Sequence, residues 1–204
     1  GDTLQQASGQ GADTGGDVRK FDAIVIGAGV TGLYSLYCLR KHGLSALALE
    51  DADGVGGTWY WNRYPGARFD SESYTYGFSF SEELLQEWDW KEHFSGQPEN
   101  ERYLNYVADK FDLRRDIRFN SRVVSSDYDD SDACWQVRTE DGSLFRGQFL
   151  ITAVGLLSAH YIPDFEGLDS FKGDWCHTGS WPKDGMDLAG KRVGVVGTGA
   201  TGVQ

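Results

Sequence analysis

The stretch that decides the fold is Phe21-Asp22-Ala23-Ile24-Val25-Ile26-Gly27-Ala28-Gly29-Val30-Thr31-Gly32. A short apolar run ends directly in Gly-x-Gly-x-x-Gly, and apolar residues at helical spacing follow as far as Gly43. The pattern predicts a strand, a tight turn and a helix. In such a turn the first glycine permits the bend, the second admits a pyrophosphate close to the backbone, and the third lets the helix pack on the strand.

A second predicted strand supplies the acid that a dinucleotide site needs. Ala46-Leu47-Ala48-Leu49 ends in Glu50, about twenty residues beyond the glycines, where a carboxylate accepts hydrogen bonds from a ribose. An acid here suits an unphosphorylated ribose, which favours FAD or NAD over NADP. An isolated Gly-x-Gly-x-x-Gly can be an ordinary glycine turn, but the strand, helix and acid around it indicate dinucleotide binding. The residues assigned to this site are Gly27, Gly29, Val30, Thr31, Gly32 and Glu50.

The composition limits the class of protein. The chain has 204 residues, 40% of them apolar, which is enough for a core in one large or two small domains. A formal net charge of -12 argues against a nucleic-acid or anionic-membrane partner, because phosphates would be repelled. The sequence shows neither an apolar run that could span a bilayer nor a signal-peptide pattern. Three distant cysteines, Cys38, Cys134 and Cys176, favour a reducing cytoplasm over a disulfide framework.

The chain divides into four parts. Residues 1–18 have almost nothing to bury, and we expect a disordered tail. Residues 19–155 are predicted to form the first domain, 156–190 an irregular linker rich in glycine, and 191–204 the start of a second nucleotide fold with its own strand and glycine turn. A strand and half a turn cannot bury a core alone, so we expect this sequence to be the N-terminal part of a longer protein.

Within the first domain, helical patterns precede short strands. Residues 81–113 are expected to be helical, from 82 to 90 and again after Pro98, with the aromatic residues of the second helix in the core. Residues 117–151 are typical of short strands with turns, which predicts a small antiparallel meander whose last strand returns to the first sheet. The predicted fold class is therefore α/β.

A long segment over residues 51–80 is crowded with glycine and aromatic residues. A loop of this length inside a compact domain is either disordered or functional, and its aromatic content argues against disorder. We therefore expect it to lie over a flat ligand. Within it, Arg63, Arg68 and Asp70 stand among aromatic rings, and the residues themselves allow either a functional role or a solvated surface ion pair.

Residues 171–182, with the sequence Phe-Lys-Gly-Asp-Trp-Cys-His-Thr-Gly-Ser-Trp-Pro, fit the pattern Phe-x-Gly-x-x-x-His-x-x-x-Trp-Pro. This fingerprint, placed between two Gly-x-Gly-x-x-Gly turns, resembles that of the type I Baeyer–Villiger monooxygenases. The resemblance covers nearly everything after about residue 20 and includes the 56–70 loop, which is similar to that family's flavin loop. Flavin-containing and N-hydroxylating monooxygenases share the two turns but are less similar at the Trp-Pro ending. The fingerprint residues are Phe171, Gly173, His177, Trp181 and Pro182.

The resemblance implies two Rossmann-like domains, with FAD at the first glycine turn, NADP(H) at the second and no metal. A preference for NADPH over NADH rests on the likeness alone. Beyond the first turn and Glu50, the implied FAD contacts are Thr58, Trp59, Tyr60, Trp61, Arg68, Asp70 and Tyr76, with Val123 at the adenine end. The implied NADP(H) contacts are Gly197, Thr198, Gly199, Ala200, Thr201 and Gly202.

The implied activity is the oxidation of a small-molecule ketone by NADPH and dioxygen. The resemblance implies that a hydride from NADPH would reduce FAD, that dioxygen would add at the flavin C4a carbon as a peroxide, and that the peroxide would attack the carbonyl to give an ester or lactone, with water as the other oxygen product. The family's catalytic arginine is expected beyond Gln204, and Asp70 matches the acid that pairs with it. His177 is assigned a structural or gating role, with a histidine that merely satisfies loop backbone groups as the alternative.

Other functions remain open from the sequence. A sulfur- or nitrogen-oxidising monooxygenase would carry the same two glycine turns, and a non-catalytic nucleotide-sensing module would bind the same cofactors. A disulfide reductase with two dinucleotide sites needs a close cysteine pair near the flavin, and this chain has none. Which ketone would be the substrate cannot be predicted from these residues.

Overall fold

The computed structural model describes residues 18–204, so residues 1–17 of the predicted tail lie outside the described part. The strands are β1 (Arg19–Ile26), β2 (Ala46–Leu49), β3 (Ile117–Arg118), β4 (Val123–Asp129), β5 (Cys134–Thr139) and β6 (Leu144–Thr152). The helices are α1 (Val30–Lys41), α2 (Thr58–Trp61), α3 (Ser73–Tyr76), α4 (Glu82–Glu87), α5 (Gln97–Lys110) and α6 (Ala200–Val203). The six strands form one mixed sheet in the order β3-β2-β1-β6-β5-β4. The predicted α/β class is confirmed.

The strand β1 lies at the centre of the sheet. It pairs in parallel with β2 on one edge and with β6 on the other. Successive side chains of a strand point to opposite faces, so Val25 packs in the core beneath α1 and α5 while Ile24 packs against Phe145 on the other face. Both residues are fully buried, and each contributes about 1.5–3 kcal/mol through the burial of its side chain. This strand is therefore a rigid support for the turn that follows it.

The predicted antiparallel meander belongs to this same sheet. The strand β5 pairs antiparallel with both β4 and β6, and β6 then runs parallel to β1, as predicted for the returning strand. The short strand β3, expected in the meander, instead pairs in parallel with β2 at the opposite edge. The reason is burial, because Ile117 of β3 packs into the core that contains α5.

The helix α4 is shorter than predicted. Its first turn is capped by Ser81, whose Oγ accepts a hydrogen bond from the Leu84 N–H at 3.2 Å. The prediction of helix as far as residue 90 is wrong, because Trp88 takes an extended backbone and ends the helix. This bend lets Trp88 and Trp90 pack on Tyr103 of α5, with ring centroids 5.2 and 4.8 Å apart. Aromatic packing between elements therefore decides where α4 ends.

Residues 156–190 are mostly irregular, as predicted, with two single 3₁₀ turns at Leu168–Ser170 and Thr178–Ser180. The strand expected before the second glycine turn does not form in the described part of the chain. A strand needs a neighbour for its backbone groups, and here Val195 and Val196 are 67% and 81% exposed. Within residues 18–204, no helix is both long and apolar enough to cross a membrane.

Candidate functional site

The first glycine turn is held in a conformation that only glycine accommodates. Gly27 has φ +105°, and a Cβ there would lie 2.5 Å from the carbonyl oxygen of Ala153. A Cβ on Gly32 would lie 2.0 Å from the carbonyl oxygen of Gly27, so α1 packs directly on the turn. Gly29 occupies the N-cap of α1. Helix N-termini of this kind present backbone N–H groups and a partial positive charge to an anion such as a pyrophosphate.

A cavity of about 760 Å³ opens beside this turn, a size usual for a cofactor cleft. Its walls come from the first glycine turn, the 51–80 loop, the strand β4 and the linker. The predicted site residues in its lining are Gly27, Gly29, Val30, Thr31, Glu50, Thr58, Trp59, Tyr60, Trp61, Tyr76, Val123 and Trp181. One cleft therefore collects most of the residues predicted to bind the first dinucleotide.

Glu50 is buried at the carboxyl end of β2, with 5% of its surface exposed. Its Oε2 accepts a hydrogen bond from the Ala28 N–H at 2.6 Å, and its Oε1 accepts one from the Ala52 N–H at 2.8 Å. Burial raises the pKa of this carboxyl above its usual range, and the two N–H donors oppose that shift. The carboxylate is thus fixed against the turn, and each oxygen keeps a lone pair for a ribose hydroxyl. The residues present fit the ADP half of a dinucleotide.

The 51–80 loop packs on the glycine turn. The Gly56 N–H donates to the Ala28 carbonyl at 3.1 Å, and the Cα of Gly57 would lie 3.3 Å from a Cβ on Gly29. Farther along the loop, Trp59 Nε1 donates to the Tyr76 hydroxyl at 2.8 Å. Burial raises the pKa of Tyr76, which therefore stays neutral. These contacts hold a layer of aromatic rings beside the cavity, and the predicted cover of a flat ligand by this loop stays a prediction.

The two arginines and the aspartate of this loop separate in the structure. Arg63 lines the cavity, whereas Arg68 is exposed and pairs with Glu92 at 3.3 Å. That pair matches the solvated ion pair that the sequence left open. Asp70 is also exposed, and its Oδ1 accepts a hydrogen bond from Nε2 of Gln204 at 3.0 Å. Neither Arg68 nor Asp70 is part of the cavity lining, and their cofactor and catalytic roles stay predictions.

The second glycine turn repeats the backbone of the first. Gly197 has φ +117°, and a Cβ on Gly202 would lie 2.7 Å from the carbonyl oxygen of Gly197. Gly199 precedes α6, as Gly29 precedes α1. The residues of this turn lie outside the lining of the cavity described above. Their predicted binding of NADP(H) stays a prediction.

One fingerprint residue, His177, stacks on His160. The rings of His177 and His160 lie 4.4 Å apart at 29°, and His177 Nδ1 accepts a hydrogen bond from the Gly179 N–H at 3.1 Å. Burial, and secondly the neighbouring His160, lower the pKa of His177. His177 thus does satisfy a loop backbone group, and its gating role stays a prediction. Phe171 lies against Gly173, where a Cβ would meet the Phe171 ring at 2.8 Å.

A family model described as FMO-like, flavin-binding monooxygenase-like, matches residues 20–204. This chain belongs to the flavin-binding monooxygenase-like family. Among curated relatives of this family member, an acetone monooxygenase (methyl acetate-forming) of Gordonia sp. (strain TY-5) is 55% identical over 183 residues, which cover 90% of this chain and 34% of the relative. A Baeyer–Villiger monooxygenase of Pseudooceanicola batsensis is 50% identical over 185 residues, which cover 90% of this chain and 34% of the relative.

Similarity also extends to a differently named relative and to solved structures. A phenazine N-monooxygenase of Lysobacter antibioticus is 48% identical over 189 residues, which cover 92% of this chain and 35% of the relative. The crystal structure of cyclohexanone monooxygenase from Rhodococcus sp. Phi1 bound to NADP+ matches with a TM-score of 0.86 at 50% identity, over 91% of this chain and 35% of that chain. The chain therefore spans about a third of the length of the relatives it matches. The predicted resemblance to the Baeyer–Villiger group is confirmed.

Several cavity residues of this flavin-binding monooxygenase-like chain were not predicted. They include Arg122, Ala153, His160 and Lys183. The small residues that follow β6 could have indicated this contact from the sequence, because the backbone of Ala153 packs closely on the Gly27 turn. Lys183 has no such signal, since its partner Tyr60 lies 123 residues earlier. Among residues 18–204, the side chains of His, Cys, Asp and Glu form no group of three that could hold a metal ion.

Proposed function

We propose that the complete protein uses NADPH and dioxygen to insert one oxygen atom next to the carbonyl of a small ketone, giving an ester or lactone. The observation that carries this proposal is the cleft in which the first glycine turn, the buried Glu50 and the aromatic loop meet. Membership of a flavin-binding family and the high identity to proteins named Baeyer–Villiger and acetone monooxygenases support it. Bound FAD would supply the hydride acceptor and the site of oxygen activation.

This chain's own residues would bind and orient that cofactor. The N-terminus of α1, with Gly27 and Gly29, would hold the pyrophosphate, and Glu50 would accept hydrogen bonds from the ribose hydroxyls. The layer around Trp59 and Tyr76 would cover the ring system and exclude water from one side of it. We propose the same domain limits as from sequence, with FAD held by residues 19–155, a linker over 156–190 and the NADP(H) site beginning within 191–204.

Asp70 is proposed as a positioning residue. Its exposed carboxylate is free to pair with a cation supplied by a later part of the protein, and the Gln204 amide already holds one of its oxygens. The proposed partner is an arginine that stabilises the negative charge which develops during oxygen transfer.

Three free thiols, Cys38, Cys134 and Cys176, support a reducing, cytoplasmic compartment for the protein.

The role of Asp70 predicts a specific kinetic defect. Asp70→Ala should leave the flavin content unchanged and slow both flavin reduction by NADPH and oxygen transfer by about tenfold or more, because the arginine loses the carboxylate that holds it in place. Stopped-flow absorbance of the two half-reactions measures this, with Glu92→Ala as a control that removes a nearby exposed carboxylate. Wild-type rates in both half-reactions would refute the role.

A second candidate function is N-oxidation, which the 48% identity to a protein named phenazine N-monooxygenase favours. Both candidates share the flavin cleft, so the choice depends on the product. The complete protein should be incubated with NADPH and separate panels of ketones, sulfides and aromatic amines, with products identified by mass spectrometry. Esters or lactones support the proposed function, and exclusive formation of N-oxides or sulfoxides replaces it. Stable cofactor binding without turnover in any panel would indicate a nucleotide-sensing module.

A further inference from the structure

Lys183 of the linker reaches across the cavity wall to the 51–80 loop. Its Nζ lies 2.5 Å from the Tyr60 hydroxyl, 4.4 Å from the centroid of the Tyr60 ring and 3.7 Å from Asp53 Oδ1. The Tyr60 hydroxyl in turn donates a hydrogen bond to Asp53. A single ammonium group thus contacts both a phenol and a carboxylate that belong to a distant part of the sequence.

Tyr60 fixes one end of this contact. Only 6% of its surface is exposed, and its ring lies so close to Gly54 that a Cβ there would meet the ring at 3.2 Å. The same stretch of loop is attached to the first glycine turn through the Gly56 N–H and the Ala28 carbonyl, 3.1 Å apart. Lys183 therefore connects the linker to the part of the loop that packs on the dinucleotide turn.

The charges in this contact favour its formation at neutral pH. The hydrogen bond from Tyr60, followed by the charge of Lys183, lowers the pKa of Asp53. The bond to Tyr60 raises the pKa of Lys183, while Arg63 nearby acts against that shift. An exposed ion pair such as Lys183–Asp53 alone stabilises little. Here the ammonium group also contacts the hydroxyl of Tyr60, whose burial fixes its position. Half of the Lys183 side chain is exposed to solvent, so salt should weaken the contact.

We propose that Lys183 is a positioning residue that holds the linker against Tyr60 and Asp53 as a wall of the dinucleotide cavity, and that it thereby slows the release of bound FAD. The linker residues Gly179, Ser180, Trp181 and Lys183 line the same cavity as the glycine turn, so holding them in place narrows the way out for a ligand bound there. This inference rests on the proposed FAD site and is independent of the reaction proposed for the protein.

The test is the rate of FAD release from the flavin-loaded complete protein, followed by the fluorescence of free flavin after dilution. Lys183→Met should release FAD about three- to tenfold faster, on the order of the loss of one charged hydrogen bond at a half-exposed site. Lys191→Met is the matched control, because Lys191 is equally exposed, pairs with Asp174 of the linker at 3.6 Å and lies outside the cavity lining. The control should release FAD at the wild-type rate.

Two further measurements distinguish this role from a general loss of structure. Added NaCl should speed release from the wild type but have a much smaller effect on Lys183→Met. The effects of Lys183→Met and Tyr60→Phe should be non-additive in the double variant, since both remove the same contact. Equal release rates for Lys183→Met and Lys191→Met, or additive effects, would overturn the inference. Failure of the wild type to bind FAD would refute both proposals, whereas FAD binding without ketone oxidation would refute only the proposed function.

Discussion

The two glycine turns share a backbone geometry but differ in their surroundings. The first glycine of each has a positive φ, +105° at Gly27 and +117° at Gly197. The third glycine of each would place a Cβ within 3 Å of the carbonyl oxygen of the first, at 2.0 Å for Gly32 and 2.7 Å for Gly202. The first turn follows a buried strand and borders a cavity, whereas the second follows exposed residues that form no strand in the described part of the chain.

This comparison shows that the turn conformation is determined locally, whereas the strand before it depends on distant parts of the chain. The conformation of the turn depends on three glycines and recurs wherever they recur. The strand before it depends on neighbours, because β1 is paired on both edges and Val25 is fully buried, while Val196 is 81% exposed. At Gly27 the surrounding sheet, acid and loop place this turn conformation at the edge of a cleft, and residues 18–204 supply no such surroundings to Gly197.

The largest expected effect comes from replacing the third glycine of each turn with alanine, which adds the same methyl group to both. Gly32→Ala should lower the free energy of unfolding by about 3 kcal/mol and abolish flavin binding, because the buried sheet prevents the Gly27 carbonyl from moving away. In the 204-residue chain, Gly202→Ala should lower the free energy of unfolding by less than about 1 kcal/mol, since its exposed turn can adjust. Denaturant unfolding and flavin absorbance measure both variants. Equal losses from the two substitutions would contradict the idea that the surroundings matter.

The next effect concerns the acid that accompanies the first turn. Glu50→Ala leaves the ribose hydroxyls and two buried N–H groups without their acceptor, a loss of about 1.5–3 kcal/mol, or roughly ten- to a hundredfold in FAD affinity. Asp132→Ala is the matched control, because Asp132 is exposed, pairs with Arg146 at 3.0 Å and, like Arg146, lies outside the cavity lining. Titration of the flavin-free protein with FAD should show weakened binding for Glu50→Ala only. An unchanged affinity would remove Glu50 from the site.

Much of the first site could be predicted because its determinants are close in sequence. The Gly27 turn, the helix after it and the acid at Glu50 lie within about thirty residues, and each has a local physical requirement that the residue type reveals. The aromatic loop was predicted from its length and composition, and it does border the cavity.

The missed features depend on contacts between distant residues. The position of β3 depends on the burial of Ile117 beneath α5, and the end of α4 depends on Trp88 packing against Tyr103. The contact from Lys183 to Tyr60 spans 123 residues, and neither residue reveals its partner. Hydrophobic periodicity predicts that a segment is buried, but not which neighbour buries it.

The smallest predicted effect concerns Tyr103, which supports the first region from within the core. Tyr103 is 3% exposed, and its hydroxyl oxygen accepts a hydrogen bond from the Phe78 N–H at 2.8 Å. Tyr103→Phe should lower the free energy of unfolding by about 1 kcal/mol at pH 8, because the buried N–H loses its acceptor. Tyr74→Phe, at a 66% exposed site, should have no measurable effect. NADP(H) affinity should be the same in both variants, since neither residue touches the second turn.

The pH dependence of this loss provides a sharper test. Burial raises the pKa of Tyr103 to about 12, whereas a tyrosine in the unfolded chain titrates near pH 10. The folded protein therefore retains a proton that the unfolded chain releases, so the stability contributed by the neutral phenol is complete below about pH 10 and is lost as the pH rises through 12. The wild type should become less stable between pH 10 and 12 more steeply than Tyr103→Phe, which closes the gap between them. Urea unfolding at pH 8, 10 and 11 measures this gap, and a constant gap would mean that Tyr103 titrates normally in the folded protein.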